Sequence, residues 1–506
     1  MKRLLLCLTT FFLSALLFAQ TDTTPTPQWR PVYHFTPAKN WTNDPNGLIY
    51  YNGKYQLYNQ QNPYENKWGH MSWGHATSKD LLHWKQLPLA IPETIDKDTS
   101  WRFSGCVVED KNNTSGFCKN GGCLVAVYTV HQPNRKLETQ YVAYSNDGGM
   151  TYTNYDKNPV IDLQKEDFRD PNVRWNEQLK KWVMVVALPQ EHAVRFYSSP
   201  NLKEWTLLSE FGNNKEGFHE HAWECPFLIQ LPVDGNKNNK KWVLFVSSGG
   251  PNGGPFMQYF TGNFDGKTFT NDNAGTSYLT VDEGNTFYAA IPYNNAPQNK
   301  EILVGWMVPL KMPTYPWRGQ FSIPRDLSLR TTNEGVRLYQ QPSAIITENL
   351  SKLSVSKRTE KKNLTINNEE VALNTAGSFN SNANWIEATF IPGSAKSFGF
   401  IVAGNSGDTS GDKGTKIIYT VKGNELSILP GQGNEIHPLK AMVKPVNGKL
   451  KLQVLLDKSS LEVFANDGEK VLTTYIFPQE NAAKVSAFAE EGNVKVESLR
   501  MFGFAK

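Results

Sequence analysis

Three acidic residues lie in short, turn-rich motifs that are flanked by aromatic side chains. They are Asp44 in WTNDPNG, Asp170 in FRDPNV and Glu224 in WECPF. Two of them precede a proline, which biases the residue before it toward extended backbone. Cleavage of a glycosidic bond at neutral pH uses one carboxylate on the anomeric carbon and one carboxylic acid on the leaving oxygen. Strand-end carboxyl groups of this kind predict sugar chemistry in a shared cavity.

The segments that must position these acids repeat along the chain. KKWVMVV at 180–186 recurs as KKWVLFV at 240–246, and SKDLLHW at 78–84 resembles SPNLKEW at 199–205. SNDGGMTY and NFDGKTF share a polar turn followed by an aromatic residue. A period of roughly 60 residues predicts five units of about four strands, as in a β-propeller, with chance similarity between hairpins as the alternative. In a propeller, acids from several units meet near the central axis.

The residue pattern changes after Pro342 to alternating strands separated by turns rich in Asn, Ser and Gly. Alternating strand patterns follow, as in LKLQVLLD, SLEVFAND and VLTTYIFP, and they predict a β-sandwich. The expected fold class is therefore all-β. We expect four segments, namely a signal peptide at 1–19, a five-bladed β-propeller at 29–341, a linker at 342–359 and a C-terminal β-sandwich at 360–506.

The N-terminus has the features of an export signal. Lys2 and Arg3 precede an apolar run from Leu4 to Phe18, and small Ala19 comes before a polar segment. An uncleaved membrane anchor is the alternative, but the run falls short of the ~20 residues of a spanning helix. We therefore expect a secreted or periplasmic enzyme that is cut near Ala19.

Charge and cysteine content narrow the classes of partner. Without Lys2 and Arg3 the chain has 50 basic and 48 acidic residues, so it offers no electrostatic footprint for nucleic acid or membranes, and we expect an uncharged substrate. Cys118 and Cys123 flank a short loop, and the sequence leaves open whether they form a local disulfide in an oxidising compartment. Cys106 and Cys225 are expected to be small buried residues. The sequence does not indicate the oligomeric state.

Eight motifs in order resemble glycoside hydrolase family 32, which contains invertases, inulinases and levanases. They are WTNDPNG, WGHATSKDLLHW, FSG, FRDP, ECP, FYAA, VGWM and PWRGQFSIPR. The resemblance spans residues 29–341, and SSLEVFAND is similar to the C-terminal sandwich of that family. It implies a five-bladed propeller joined to a sandwich, a retaining mechanism and no cofactor.

The resemblance also implies roles for individual residues. Asp44 matches the nucleophile, Glu224 the acid/base and Asp170 the residue that stabilises the transition state. We expect Asp44 to be ionised through Asn43 and the turn amides, and Glu224 to be protonated because Trp223 and Phe227 make its surroundings less polar. The resemblance assigns further residues to the substrate pocket: Asn43, Gln60, Trp68, Phe103, Ser104, Arg169 and Trp306, with Asp282 as a contact to the leaving sugar.

Some positions depart from the usual family pattern, which leaves the preferred substrate open. They are Thr42, Asn59, Gln61 and Cys106. We expect exo-cleavage of β-fructans such as levan or inulin, with sucrose as a small substrate. Endo-cleavage, invertase activity and transfructosylation are alternatives within the family.

Other interpretations come from outside the family. A fructan-binding protein without activity and an inverting five-bladed glycosidase of arabinan or xylan are alternatives, although the three carboxylates and the sandwich favour the fructan interpretation. His219-Glu220-His221 suggests a metal site but lacks a third ligand, so we expect none. Cys225 has no activating signature for a nucleophile.

Overall fold

The computed structural model describes residues 25–504 except 97–98, 120, 214, 251–253, 274, 310–311, 351–354, 375–382, 405–413, 432–436 and 480–481. The predicted signal peptide and its cleavage site lie outside the described residues. Within the described part almost all of the regular secondary structure is β-strand, which confirms the predicted all-β class. None of its helices there is long and apolar enough to cross a membrane.

The N-terminal part of the chain forms propeller-like sheets whose strands divide into five groups, which we call blades I to V. Two short 3-10 helices, Pro27–Trp29 and Pro297–Asn299, lie outside the blades. Blade I comprises β1 (Asn40–Tyr51), β2 (Lys54–Gln61), β3 (Ser72–Ser78) and β4 (Trp84–Ile91). Blade II comprises β5 (Trp101–Asp110), β6 (Cys123–Gln132), β7 (Leu137–Ser145), β8 (Thr153–Asn154) and β9 (Ile161–Lys165). Blade III comprises β10 (Arg169–Asn176), β11 (Lys181–Leu188), β12 (Ala193–Ser199) and β13 (Thr206–Gly212).

The last two blades share one hydrogen-bonded sheet through a single bridge between Val233 and Leu329. Blade IV comprises β14 (Glu224–Val233), β15 (Asn236–Gly249), β16 (Pro255–Phe264), β17 (Phe269–Asn271) and β18 (Leu279–Thr280). Blade V comprises β19 (Phe287–Pro292), β20 (Ile302–Met307), β22 (Gln320–Phe321), β23 (Arg325–Thr332) and β24 (Gly335–Pro342), while the preceding β21 (Trp317–Arg318) joins blade I.

The five blades close into a ring. The first strands of the blades, β1, β5, β10, β14 and β19, contact one another in that order, and β19 also contacts β1. β21 pairs in parallel with β1 through Asn40 and Trp317, so a late segment of the ring is fastened to its first strand. This ring brings residues far apart in sequence to one axis.

The sequence repeat corresponds to equivalent positions in the blades. KKWVMVV and KKWVLFV fall in β11 and β15, the second strands of blades III and IV. SKDLLHW and SPNLKEW connect the third and fourth strands of blades I and III, and SNDGGMTY and NFDGKTF occupy the same connection in blades II and IV. The similarity therefore reflects repeated blade structure.

The C-terminal part is a sandwich of two six-stranded sheets, as predicted. After helix α1 (Ala344–Thr347), the first sheet contains β25 (Val355–Asn367), β27 (Asn384–Pro392), β32 (Leu450–Asp457), β33 (Ser460–Ala465), β34 (Lys470–Tyr475) and β36 (Asn493–Phe504). The second sheet contains β26 (Glu370–Ala372), β28 (Ser397–Gly404), β29 (Thr415–Thr420), β30 (Glu425–Leu429), β31 (Leu439–Met442) and β35 (Lys484–Glu490). β25 begins five residues before the predicted domain boundary.

The sandwich is packed against the blades rather than tethered to them. Trp385, Phe464 and Phe504 of the first sheet belong to the same buried cluster as Tyr33 and Phe321 of the blade region. Burial of such aromatic surface is strongly favourable, at roughly 25 cal/mol per Å² of apolar area. The two parts are therefore expected to move as one unit.

The structure settles the pairing that the sequence left open and confirms that the other two cysteines are buried. Cys118 and Cys123 form a disulfide, and Cys106 and Cys225 are free and buried.

Candidate active site

A local irregularity occurs at the same end of all five first strands. Each strand shifts its pairing register against the second strand of its blade, between Thr42 and Pro45, Arg102 and Gly105, Arg169 and Asn172, Glu224 and Phe227, and Tyr288 and Ile291. Bulges of this kind re-aim side chains. Asp170, Cys225 and Ala289 also have positive φ angles of 66°, 47° and 49°, a strained backbone that is often found at functional sites. The bulges turn the ends of the five strands into one site.

Asp44 is held by polar groups from blades I and II. Its Oδ2 accepts hydrogen bonds from Gln60 Nε2 at 2.9 Å and Ser104 Oγ at 2.6 Å, and its Oδ1 accepts one from Asn43 Nδ2 at 3.1 Å. Burial raises the pKa of Asp44, the bond from Ser104 lowers it, the charge of Glu224 raises it and Asn43 lowers it, with a net rise. The expected hydrogen bond from Asn43 is present, but burial outweighs it.

Asp170 is fully enclosed beside Asp44. Its Oδ2 accepts a hydrogen bond from the backbone N of Cys225 at 2.9 Å, and its own backbone N donates to Thr129 Oγ1 at 3.0 Å. The Cys225 thiol lies 3.6 Å from Oδ2 of both Asp170 and Asp44, so it bridges the two carboxyl groups. Burial raises the pKa of Asp170, the charge of Arg169 opposes this, and the neighbouring carboxylates raise it further.

Glu224 is oriented from both sides. Its Oε1 accepts two hydrogen bonds from Arg169, from Nε at 3.1 Å and Nη2 at 3.0 Å, and its Oε2 accepts one from the Tyr288 hydroxyl at 2.6 Å. Arg169 also contacts Glu138 and Asp167, which fix its guanidinium. The Glu224 side chain is 29 % exposed, so it faces solvent where Asp170 does not.

The aromatic neighbours of Glu224 in sequence do not shape its surroundings as expected. The Trp223 ring packs against Phe260 and its Nε1 donates to the carbonyl of Phe218. Phe227 stacks on Phe245 at a centroid distance of 4.3 Å. Both rings therefore belong to the cores between blades, and Arg169 and Tyr288 are the groups that set the environment of Glu224.

Most of the predicted pocket residues lie around this cluster. Asn43, Gln60 and Ser104 surround Asp44, and Arg169 holds Glu224. The predicted aromatic residues fall into two contact groups: Trp68, which is 52 % exposed, packs on Trp101 and Phe103, and Trp306 packs on Trp41.

Asp282 is the predicted residue that the structure does not bring to the site. It is buried between the blades and the sandwich, where Oδ2 pairs with Arg325 Nη1 at 2.9 Å and accepts a hydrogen bond from Thr473 Oγ1 at 2.6 Å. Its Oδ1 accepts from the backbone N of Thr473 and of Gly284. Both carboxylate oxygens of Asp282 therefore contact Thr473 of the sandwich, and neither faces the carboxylate cluster.

Tyr288 is a functional residue that the motifs alone do not reveal. The FYAA motif contains it, yet nothing in the motif assigns a role to the tyrosine. The one signal is its place at the start of the register shift in the first strand of blade V, where blade IV carries Glu224. Glu138, which supports Arg169, lies in no motif, and only the fold identifies it.

The described residues contain no group of three or more His, Cys, Asp and Glu side chains placed to hold a metal ion. His219 Nε2 instead lies 2.6 Å from the carbonyl of Glu216. The cluster itself presents carboxyl, phenol, amide and guanidinium groups.

Comparison with known proteins agrees with this architecture. The family model for the glycosyl hydrolases family 32 N-terminal domain matches residues 34–342, and the model for the C-terminal part of that family matches residues 349–502. The chain belongs to glycosyl hydrolase family 32. It is 44 % identical over 501 residues to a levanase of Bacillus subtilis, covering 94 % of this chain and 71 % of that protein. It is 37 % identical over 530 residues to an extracellular exo-inulinase of Aspergillus awamori, covering 94 % of each.

Solved structures give the same picture for the fold. The crystal structure of exo-inulinase from Aspergillus awamori has a TM-score of 0.85 at 34 % identity and covers 96 % of this chain and 99 % of that one. A fructofuranosidase of Schwanniomyces occidentalis complexed with fructose has a TM-score of 0.85 at 31 % identity, covering 96 % and 100 %. This family 32 chain is a glycosidase with propeller-like sheets followed by a sandwich.

Two of the four departures from the family pattern form one unit. Asn59 Nδ2 donates to Thr42 Oγ1 at 2.7 Å, and Thr42 Oγ1 donates to the carbonyl of Gln60 at 3.0 Å. Gln60 in turn donates to Asp44. Cys106 accepts a hydrogen bond at 3.1 Å from the backbone N of Val173 behind the site. These departures alter the support of the site and leave its acids in place.

Proposed function

We propose that this family 32 enzyme removes terminal fructose from β-fructans by exo-cleavage with retention of configuration. The observation that carries the proposal is the cluster of Asp44, Asp170 and Glu224, which come together from three blades. Polar groups that read hydroxyls, combined with aromatic faces that cover C–H surfaces, suit a fructosyl unit. Levan and inulin are the proposed polymers, and sucrose is the proposed small substrate.

In the first step, Asp44 attacks the anomeric carbon of the terminal fructosyl unit. Its Oδ2 accepts two hydrogen bonds, from Gln60 and Ser104, whereas Oδ1 accepts one, from Asn43. Oδ1 therefore retains more free electron density and is the proposed attacking atom. The bond from the anomeric carbon to the leaving oxygen breaks as Glu224 gives that oxygen its proton, and a fructosyl ester of Asp44 forms.

In the second step, the roles of the two residues reverse. Glu224, now a carboxylate, takes a proton from water, the water oxygen bonds to the anomeric carbon, and the ester bond to Asp44 breaks. Fructose leaves and Glu224 is again protonated. Arg169 and Tyr288 hold the Glu224 carboxyl in one orientation through both steps, which suits a group that must act twice at the same place.

Asp170 has a different role. It takes no part in bond formation, and we assign it to the fructose hydroxyls, which it holds as the ring distorts toward the transition state. Its enclosed position beside Asp44 and the bond from the Cys225 backbone support this assignment. The Cys225 thiol, which lies against both aspartates, packs the pair and is not the nucleophile, because burial raises its pKa well above the ordinary value.

The assignment is tested with three variants and a pH–rate profile on an inulin-type substrate. Asp44→Asn is expected to abolish fructose release, and Glu224→Gln is expected to lose both most of the activity and the basic limb of the profile. Glu220→Gln serves as the control, since Glu220 is an exposed acid four residues before Glu224. Full activity in either of the first two variants contradicts the roles assigned to Asp44 and Glu224.

Product analysis separates the exo-acting enzyme from the alternatives. Chromatography of levan and inulin digests is expected to give fructose alone. A ladder of oligomers indicates an endo-acting enzyme, and no product at all indicates a fructan-binding protein. NMR of the first product reports the configuration of its anomeric centre, and an inverted configuration indicates the inverting alternative.

We also propose that the chain is exported and that the signal peptide is cut near Ala19. The charged start, the apolar run and the extracellular exo-inulinase among its relatives support this. Sequencing of the mature N-terminus tests it: a start close to Gln20 is expected, and an intact Met1 in the exported protein contradicts it.

A further inference from the structure

A second cavity lies between blades III and IV, away from the carboxylate cluster. It has a volume of about 400 Å³, which lies in the range of small-molecule sites. β10 runs from the carboxylate cluster to this cavity, with Asp170 near its first end and Arg174 in the cavity lining. At a rise of roughly 3.3 Å per residue, Arg174 lies about 13 Å along the strand from Asp170.

The two walls of the cavity follow from strand pairing. On blade III, Asn172 lies opposite Val185 and Arg174 opposite Val183, so these four side chains share one face of the sheet. On blade IV, Gln230 lies opposite Trp242 and Leu228 opposite Leu244. The lining combines apolar residues of both walls with the amide, guanidinium and indole groups of Asn172, Gln230, Arg174 and Trp242.

The base of the cavity is rigid and electrically balanced. Arg174 forms a bidentate pair with Glu301 of blade V, with Nη1 and Nη2 at 2.7 and 2.8 Å from the two carboxylate oxygens. This pair bridges two blades and cancels its own charge. Lys240 and Glu177 at the rim are exposed and of opposite sign. The cavity therefore has no net attraction for an anion or a cation, and a neutral ligand fits it.

Two polar groups on the blade III wall have no hydrogen-bond partner among the described residues. The Asn172 residue is only 7 % exposed, and no hydrogen bond to its side chain occurs among the described residues. Arg174 Nε is buried and also has no hydrogen-bond partner in that part of the chain. Buried polar groups are usually satisfied, because burial without a hydrogen-bond partner is costly. Arg174 Nε is enclosed by protein, whereas the Asn172 amide lines the cavity and offers a ligand both a donor and an acceptor.

We propose that this cavity is a second sugar-binding site that holds a neutral fructose unit or a short fructo-oligosaccharide without cutting it. Asn172 meets hydroxyl groups from one side, Gln230 meets them from the other, and the Trp242 ring covers a C–H face. Trp242 is itself held edge-on by Phe264 at a centroid distance of 5.6 Å, so the ring is set in place before binding. No carboxylate pair stands free at this cavity in the described part of the chain, because Glu301 is engaged by Arg174.

The test uses the full chain carrying Glu224→Gln, so that turnover does not remove the ligand. 1-Kestose is titrated and binding is followed by saturation-transfer NMR. Two saturable events per chain are expected, one in the catalytic pocket and one in this cavity. Asn172→Leu keeps the size of the side chain but removes the amide. It is expected to lower the affinity for 1-kestose at this cavity about tenfold and to leave the affinity of the catalytic pocket unchanged. Asn263→Leu, an exposed change on β16 of blade IV, is the control.

The outcomes separate clearly. A single binding event, or a second event that persists unchanged in both Asn172→Leu and Gln230→Ala, overturns the proposal. Gln230→Ala covers the case in which Asn172→Leu does not fold, because Gln230 is exposed. The test is independent of the catalytic roles: if Glu224→Gln still releases fructose, the proposed mechanism fails, and the titration is repeated with fructose itself as the probe.

Discussion

A buried histidine at the junction of blades and sandwich gives a quantitative prediction for stability. His34 Nδ1 lies 2.9 Å from Asp457 Oδ2, and Nε2 lies 2.8 Å from Glu462 Oε1, with all three side chains fully buried. Burial by itself lowers the pKa of His34. The hydrogen bonds and charges of Asp457 and Glu462 outweigh it and raise the pKa to about 9. A protonated His34 therefore joins the two parts of the chain.

The size of the effect follows from linkage between protonation and folding. A rise from the ordinary value of 6.5 to about 9 corresponds to about 3 kcal/mol of stability. Because the folded-state pKa is the higher one, this stabilisation is fully present below pH 6.5. Between pH 6.5 and about 9 the folded state holds one more proton than the unfolded state, so the free energy of unfolding falls by about 1.4 kcal/mol per pH unit.

The acidic side has the opposite sign. For Asp457, contacts with His34 and with backbone N–H groups outweigh burial and lower the pKa. For Glu462, contacts with Arg325 and His34 outweigh burial and also lower the pKa. Their contribution is present above the pKa they have in the unfolded chain. It is lost as the pH falls through the folded-state pKa. The junction is therefore expected to be strongest between these two limits.

The assay is urea unfolding followed by tryptophan fluorescence at several pH values from about 6 to about 9, the range set by the two pKa values of His34. His34→Gln removes the titrating group and is expected to flatten the pH dependence in this range and to lower stability most at its acidic end. His83→Gln is the control, because His83 is an exposed histidine paired with Asp80. If wild type and His34→Gln lose stability equally across this range, or if wild type gains stability there, the linkage argument is refuted.

Two other substitutions test the catalytic support and the domain junction. Tyr288→Phe is expected to lower kcat/KM about tenfold to a hundredfold and to change the basic limb of the pH–rate profile, because a hydrogen bond to a charged group is worth about 1.5–3 kcal/mol; an unchanged profile contradicts a role at Glu224. Gly468→Ala is expected to destabilise the chain by several kcal/mol in thermal unfolding, because its φ is 84° and a Cβ there would lie 1.6 Å from the carbonyl oxygen of Gln340. Gly53→Ala is the control, with a φ of 75° and nothing within 4 Å, so equal losses in the two variants would contradict the steric argument.

The repeated blades could be predicted from the sequence because equivalent strands in different blades have the same pattern of burial. The second strands of blades III and IV are buried on both faces, so they carry the same apolar run after two lysines. The acids could be found for a similar reason, since each lies in a turn motif at the end of a strand. Local patterns of this kind are visible without knowledge of the fold.

The contacts of individual side chains could not be predicted in the same way. Asp282 resembles a site acid in its motif, but its partners are Arg325 and Thr473, and only the packing of the sandwich brings them together. Trp223 and Phe227 adjoin Glu224 in sequence, yet the bulge at this strand end sends their rings into cores on either side. The neighbours that matter are Arg169 and Tyr288, from two other blades.

The proposed mechanism depends above all on the covalent role of Asp44, and trapping the fructosyl ester examines that role without inference from rates. The Glu224→Gln variant is incubated with an activated fructosyl donor that needs little help from an acid, quenched rapidly and digested, and the peptides are analysed by mass spectrometry. We predict one added fructosyl group on the peptide that contains Asp44. We predict no added group on that peptide in the double variant that carries both Glu224→Gln and Asp44→Asn. A product with inverted configuration and no adduct, or an adduct on a peptide without Asp44, would contradict the covalent role.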